Sequence, residues 1–459
     1  MYNRISREAV TLIIVMAASF LTPFMGSSVN LAIPSIGAEF GGDTFLLSWV
    51  ITAYLLSSTA FLLPFGRLAD IVGKKKIFLI GISFFSVSTV MLALAWSMWT
   101  LIFFRICQGV ASSMIFSTGI AIVSLVYPPE KRGRAMGLNV AVVYLGLSLG
   151  PVVGGGLNHY FGWRSIFAVT AAISVFALAL ALWRLKGEWK GAQDEPFDTA
   201  GSLGYVLAMA ALLYGFSSAA ETEWAKYVFG LGLLLFLFFL YYERRQPYPI
   251  LNLGLFRRNV VFLFSNLAAM INYSATFAVG FLLSLYLQIV KGYDSQMAGM
   301  VLLAQPLLMA AFSPFAGRLS DRTEPRIVAS LGMGLCTLGL LLFIFLTEVT
   351  PLWLVMANLG MIGLGFALFA SPNNNAIMGA VEKQYYGVAS SILSSMRLVG
   401  QTVSMAIVTL LLSAGNTGVE KGSDQLLLTS SRTAFLIFTV ISAAGILASL
   451  ARGKVNAAE

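Results

Sequence analysis

Two arginines, Arg105 and Arg397, stand inside long apolar runs. A charge there costs roughly 2.5 to 3.5 kcal/mol on insertion scales unless it meets a cavity or a partner. A guanidinium so placed braces backbone carbonyls, reaches toward water from a helix end, or binds the anionic part of a ligand. Gln108 and Gln401 follow the two arginines at helical spacing, and Asn30, Tyr54 and Asn272 lie in neighbouring runs. Polar groups at such positions must face protein or water. Bond-making chemistry finds no residues to perform it. His159 is the one histidine and sits at the end of an apolar run beside Tyr160 and Trp163, the place of an interfacial side chain. The two cysteines, Cys107 and Cys336, are far apart within apolar runs, which supports neither a disulfide framework nor a thiolate metal site. An intramembrane enzyme needs nucleophiles, acids or metal ligands together at depth, and ATP hydrolysis needs a phosphate-binding Gly-x-x-x-x-Gly-Lys-Ser/Thr loop. Neither is present in the sequence, so the chain is expected not to be an enzyme and to need no cofactor or metal.

A second pattern is a string that occurs twice. Pro64, Phe65, Gly66, Arg67, Leu68, Ala69 and Asp70 recur as Pro314, Phe315, Ala316, Gly317, Arg318, Leu319, Ser320 and Asp321, 251 residues on between the two aspartates. Glycine lets two helix ends approach closely, while aspartate accepts hydrogen bonds from a helix N-terminus and pairs with a cation. Gly66, Asp70, Gly73, Lys74 and Lys75, with Gly317, Arg318, Asp321 and Arg322, therefore read as two breakable latches at matching places of two related halves. Gly146, Gly150 and Gly154 recur every fourth residue, with Pro151 and Gly155 among them. That spacing lines one helix face with small residues, so another backbone can approach it.

The elements that carry these residues are membrane helices. Of 459 residues, 58% are hydrophobic and only 11% charged, and 43 more are glycine. This composition excludes a water-soluble globule and a disordered chain. Scattered between apolar runs, the net charge of +9 does not mark a nucleic-acid surface either. Apolar stretches of about 20 residues, enough to cross roughly 30 Å of hydrocarbon as helix, recur fourteen times between about 10–33 and 433–451. The first is too long for a signal-peptide core and reads as an uncleaved helix. With the N-terminus inside, 22 of the 29 lysines and arginines fall in inner segments and five in outer loops, leaving Arg105 and Arg397 within helices. Cytoplasmic segments are enriched in these residues, so both termini are expected to be cytoplasmic.

Gly66, Leu68, Ala69, Asp70, Gly73, Lys74 and Lys75 resemble the loop signature of the major facilitator superfamily. Leu101, Ile102, Arg105, Gln108 and Gly109 resemble its fourth-helix motif. Gly146, Gly150, Pro151, Gly154 and Gly155 resemble the fifth-helix motif associated with antiporters. With fourteen spans, the chain is similar to the drug:proton antiporter family of multidrug exporters. The resemblance implies an all-α polytopic membrane protein of the major facilitator fold in the cell membrane. Residues 1–190 would form a six-helix bundle, 191–258 two extra linking helices, and 259–459 a second six-helix bundle. It further implies a secondary transporter that exports hydrophobic or amphipathic organic molecules by alternating access, with protons as the coupling ion. The expected partners are a small-molecule substrate and the lipid bilayer, with no nucleic acid, and a monomer suffices.

One departure stands out. Where the family carries an aspartate in its first helix, five residues before Asn30, this chain has Met25. In the family that acid carries the proton and balances cationic drugs. The departure keeps open a second reading: a facilitator or proton symporter for an anionic or neutral metabolite. Arg105, Gln108, Asn30, Met25, Tyr54, Arg397, Gln401 and Asn272 are the candidates for coupling or substrate contact. A receptor on a transporter scaffold is the remaining class, separable by substrate flux.

Overall fold

The computed structural model describes residues 7–41, 44–192, 195–218, 222–251, 254, 256, 259–293, 295–415 and 423–453. The described chain is helical from end to end. In chain order the long helices are α1 (Arg7–Phe40), α2 (Thr44–Val72), α3 (Lys74–Ala93), α4 (Met98–Val126), α5 (Pro129–Phe161), α6 (Arg164–Arg184), α7 (Thr199–Ser217) and α8 (Ala225–Glu243). There follow α9 (Val260–Leu285) and α10 (Met297–Arg322), then α11 (Pro325–Phe343), α12 (Leu352–Gly379), α13 (Tyr386–Gly415) and α14 (Ser423–Ala451). Among the described residues, thirteen helices are long and apolar enough to cross a membrane. The fourteenth, α13, has 30 residues and ample length, but Ser390, Ser391, Ser394, Ser395, Arg397 and Gln401 dilute its apolar character. A helix that turns so many polar groups inward sits against protein rather than lipid.

Contacts repeat with an offset of eight helices. α1 packs on α5, α2 and α3 on α4, and α3 on α6; in parallel α9 packs on α13, α10 and α11 on α12, and α11 on α14. The two sets meet where α5 lies on α10 and α13 lies on α2. The remaining hairpin, α7 on α8, flanks α2 and α13. It is tied down by a stack of rings, Trp49 on Tyr214 at 5.4 Å and Tyr214 on Trp224 at 5.3 Å.

The structure breaks two runs that the sequence presents as uniform. α9 is interrupted at Phe277 and Ala278, because the Ala278 amide donates to Ser404 Oγ on α13 at 3.0 Å. Its run of apolar residues ends in a π turn at Tyr286–Val290. α10 likewise has a joint at Leu303. Ser371 to Asn375, a polar stretch around Pro372, lie within a helix that continues to Gly379. Its polar side chains tie the stretch to other helices: Asn373 Nδ2 donates to the Ser265 carbonyl at 3.1 Å and Ser371 Oγ to the Gly133 carbonyl at 3.2 Å.

Candidate transport site and latches

Both aspartates of the repeated string hold the start of a helix from the other set. Asp70, at the end of α2, accepts from the amides of Gly387 and Val388 at 3.0 and 3.1 Å, at the N-terminus of α13. Asp321, at the end of α10, accepts from the amides of Gly133 and Arg134 at 2.8 and 3.0 Å, near the N-terminus of α5. Free amides and the helix dipole make such an end a natural anion site. The glycines bring the backbones together. A Cβ on Gly66 would stand 2.7 Å from the Gly387 carbonyl, and one on Gly317 would overlap the Gly133 carbonyl. Gly133 and Gly387 thus receive the two aspartates and were missed in the sequence. Their signal is a Glu-Lys pair shortly before a glycine near a helix start, at Glu130 and again at Glu382.

The two latches differ. Lys74 Nζ lies 2.6 Å from Asp70 Oδ1, with both side chains buried, whereas the corresponding place after Asp321 is Pro325. Gly73, between them, has φ of 128°, a left-handed conformation open to glycine alone at little cost. Arg67 is buried and paired with Glu195, while Arg318 and Arg322 are exposed. The segment after α6 lies over the first latch. The Gly191 and Ala192 amides donate to the Asp70 carbonyl, and Glu188 accepts from the amides of Lys75 and Lys76.

Arg105 is 1% exposed and fully engaged inside its own helix set. Its Nε donates to the Val50 carbonyl at 2.8 Å and an Nη to Gln108 Oε1 at 2.6 Å, and the guanidinium lies 4.4 Å from the Tyr54 ring centre. Gln108 passes the chain on to Thr89 at 2.8 Å, and the Tyr54 hydroxyl donates to Ser112 at 2.9 Å. The group ties α2, α3 and α4 together. Met25 is fully buried in the apolar cluster that holds Val50, Leu101 and Phe167. Replacing Arg105 with Met would leave the Val50 carbonyl and Gln108 without their donor. Such orphaned buried groups cost ~1 to 3 kcal/mol each, so the variant is expected to melt several degrees lower in detergent, measured by intrinsic fluorescence on heating.

Arg397 is placed differently. Its guanidinium lies 5.2 Å from the Tyr273 ring centre on α9, its Nε is buried without a hydrogen bond, and no ion pair holds it among the described residues. Tyr273 and Tyr144 of α5 both meet Phe366 of α12 edge-on, at 5.1 and 5.8 Å between centres. Beside Tyr273, Asn272 is fully buried with both amide atoms unpartnered. Four helices from both sets thus meet at one guanidinium and three rings. Gln401 lies half-buried one turn beyond Arg397. The opposite face of α13 walls a cavity of about 380 Å³ with Leu63, Tyr205, Met209 and Phe236, in which Ser395 and Thr402 are the polar neighbours. That is the size of a small-molecule site.

The glycines of α5 are in place. A Cβ on Gly146 would stand 2.8 Å from the Phe20 carbonyl, one on Gly154 2.6 Å from Ser28 Cβ, and one on Gly150 3.0 Å from the Phe24 carbonyl while overlapping Ser27 Oγ. Gly155 is half-buried on the same helix. The side chains of Asn30 and Pro151 lie outside the described residues. One residue that the sequence showed only as a basic end-of-helix charge, Arg452, is fully buried and donates to Asn373 Oδ1 at 2.8 Å and Ser449 Oγ at 2.7 Å. It joins the end of α14 to α12.

Residues 15–196 and 265–457 match the model of the Major Facilitator Superfamily. The chain belongs to that family, whose members are transporters and not enzymes, and it is a multi-pass integral protein of the cell membrane. It is 33% identical to the riboflavin transporter RibZ of Clostridioides difficile over 84% of each chain. It is 31% identical to the multidrug resistance protein Stp of Mycobacterium tuberculosis, over 84% of this chain and 72% of that one. Among solved structures, the proton:xylose symporter XylE superposes with a TM-score of 0.69 at 13% identity, covering 96% of this chain and 95% of the other. The human organic anion transporter MFSD10 gives 0.66 at 15%, covering 95% and 99%.

Proposed function

We propose that this chain is a secondary active transporter that exports aromatic amphipathic molecules, neutral or anionic, by alternating access. The observation that carries this reading is the paired latch. Two equivalent aspartates clasp helix starts of the opposite set at one end of the molecule, an arrangement that closes that end and can release it. Residues 1–190 and 259–459 are then the two moving bundles, 191–258 the linking hairpin, and the latch end the cytoplasmic side, in keeping with its share of basic residues. The substrate class rests on Arg397, Asn272 and the rings around them. An unpaired cation repels cationic drugs and attracts anions or polarised carbonyls, and Met25 leaves no acid to offset it. RibZ, named for a neutral aromatic amphipath, supports the same class. The absent aspartate also favours a second reading, a facilitator or proton symporter for a metabolite of this charge.

The test is reconstitution of the full chain in liposomes, with and without an imposed pH gradient. Flux of riboflavin, an anionic amphipathic dye and ethidium is measured in each direction. Riboflavin or the anionic dye is expected to exceed ethidium by about tenfold. Arg397→Gln should lower that flux by about tenfold, corresponding to ~1.4 kcal/mol of lost binding to a charged donor. Net movement against a gradient of substrate, driven by the pH gradient, separates active export from facilitation. Ethidium flux larger than the others and indifferent to Arg397→Gln would overturn the reading.

A further inference from the structure

The α7–α8 hairpin carries two carboxyl groups at its foot that the transport reading does not use. Asp198 caps the N-terminus of α7, its Oδ1 accepting from the Gly201 amide at 2.8 Å and from the Tyr242 hydroxyl at 3.3 Å. Glu243, the last residue of α8, is 2% exposed, and its Oε2 accepts from the Leu251 amide at 3.0 Å. Each carboxyl group keeps one buried oxygen with no partner, Asp198 Oδ2 and Glu243 Oε1. Those two oxygens crowd the same side of Gly201, where a Cβ would collide with both. Asp198 is the charged group whose field acts on Glu243. Neither acid belongs to an ion pair among the described residues. The neighbouring charges point elsewhere: Arg244 and Arg245 are exposed, Arg245 lies over the Tyr241 ring, and Arg67 is taken by Glu195. Arg257 and Arg258 lie outside the described residues.

We propose that Glu243 carries a proton directed at Asp198 Oδ2, and that the two side chains form a proton-binding site at the foot of the α7–α8 hairpin. A buried carboxyl group that faces a second one through two buried oxygens is ionised only at a cost, and a single proton on Glu243 joins those oxygens. The proton keeps Glu243 against Leu251 and so holds the preceding turn. That turn, Pro247 to Ile250, lines a second cavity together with Arg67, Glu195, Tyr385 and Val388. Val388 supplies one of the two amides gripped by Asp70. Loss of the proton sets two negative charges face to face, pushes the turn away, and loosens the first latch. The site is independent of which substrate is carried.

Infrared difference spectra of the full chain in lipid, recorded between neutral and alkaline pH, test this directly. The unmodified protein shows a protonated carboxyl stretch at neutral pH that disappears on alkalinisation. Asp198→Asn and Glu243→Gln each remove that band. Both substitutions keep the local bonds, since asparagine still caps a helix and glutamine still accepts from Leu251. In the unmodified protein, exchange of the Gly387 and Val388 amides, corrected for the intrinsic rate, accelerates as the band is lost. In Glu243→Gln the corrected exchange no longer changes with pH. Absence of the band at neutral pH, or its persistence in either folded variant, overturns the proposal.

Discussion

Asp70→Asn slows substrate flux by at least about tenfold, and Asp321→Asn slows it less. The reason lies in what each substitution leaves behind. Asparagine keeps the shape but has one acceptor oxygen, so it serves only one of the Gly387 and Val388 amides, and Lys74 then remains buried without its counter-charge. Removing one partner of a buried pair costs ~3 to 5 kcal/mol. Set against the closed state alone, even half of that shifts the balance of open and closed forms by one to two orders of magnitude. Asp321 has no such lysine, so its substitution strands no buried cation and loses the charge and one of the two acceptors that face the α5 amides, ~1 to 3 kcal/mol for the amide left without a partner. Adding Lys74→Gln to Asp70→Asn should recover part of the flux, because the stranded charge is gone. Initial rates in proteoliposomes, normalised to inserted protein, measure all three. Wild-type rates in both single variants would remove the latches from the account.

Gly150→Leu abolishes transport and lowers stability by several kcal/mol. Ser28 Oγ donates to the Gly150 carbonyl at 3.0 Å, and a Cβ would overlap Ser27 Oγ of α1 and stand 2.8 Å from Ser27 Cβ and 3.0 Å from the Phe24 carbonyl. A leucine cannot be placed without parting α1 from α5, and overpacking of this kind costs ~1 to 3 kcal/mol even where backbones can yield. Here the Ser27 hydroxyl can rotate away, but Ser27 Cβ and the Phe24 carbonyl move only with α1 itself. Gly156→Leu is the control, since nothing stands within 4 Å of its added carbon. Flux and the midpoint of thermal unfolding in detergent check the pair. A Gly150→Leu variant that transports and melts like the unmodified chain would mean that this face of α5 does not carry the crossing.

Much of this was legible in the sequence, for physical reasons. Fourteen apolar runs announce fourteen helices because hydrocarbon tolerates little else, and the repeated Gly-Arg-Leu string announced the offset of eight that the contacts obey. The glycine face of α5 was readable because four-residue spacing fixes a helix face. What escaped depends on contacts between distant segments. Gly133 and Gly387 receive the latches through backbone amides, which leave almost no mark on residue type. The cover that residues 188–192 form over Asp70, and the bonds of Arg452 to α12, likewise arise only when the chain is folded. Arg105 read equally as a brace or a ligand group. Its bonds to Val50 and Gln108 form the brace, whereas Arg397 keeps a free guanidinium nitrogen among aromatic rings. The interruption at Ala278 was invisible, because it turns on one hydroxyl of α13.

The central claim, reciprocal closure governed by the paired latches, is tested most directly by distances between spin labels. With Cys107 and Cys336 replaced, one label pair is set at the latch end, on the exposed Lys131 and Arg322, and a second pair at the far end, on Tyr160 and Val349. Pulsed electron resonance is recorded in lipid for the otherwise unmodified chain and for the double variant Asp70→Asn, Asp321→Asn. The account predicts a short latch-end distance in the first, and in the second a longer latch-end distance together with a shorter far-end one. Distances that stay the same in the double variant, or lengthen together at both ends, would contradict it.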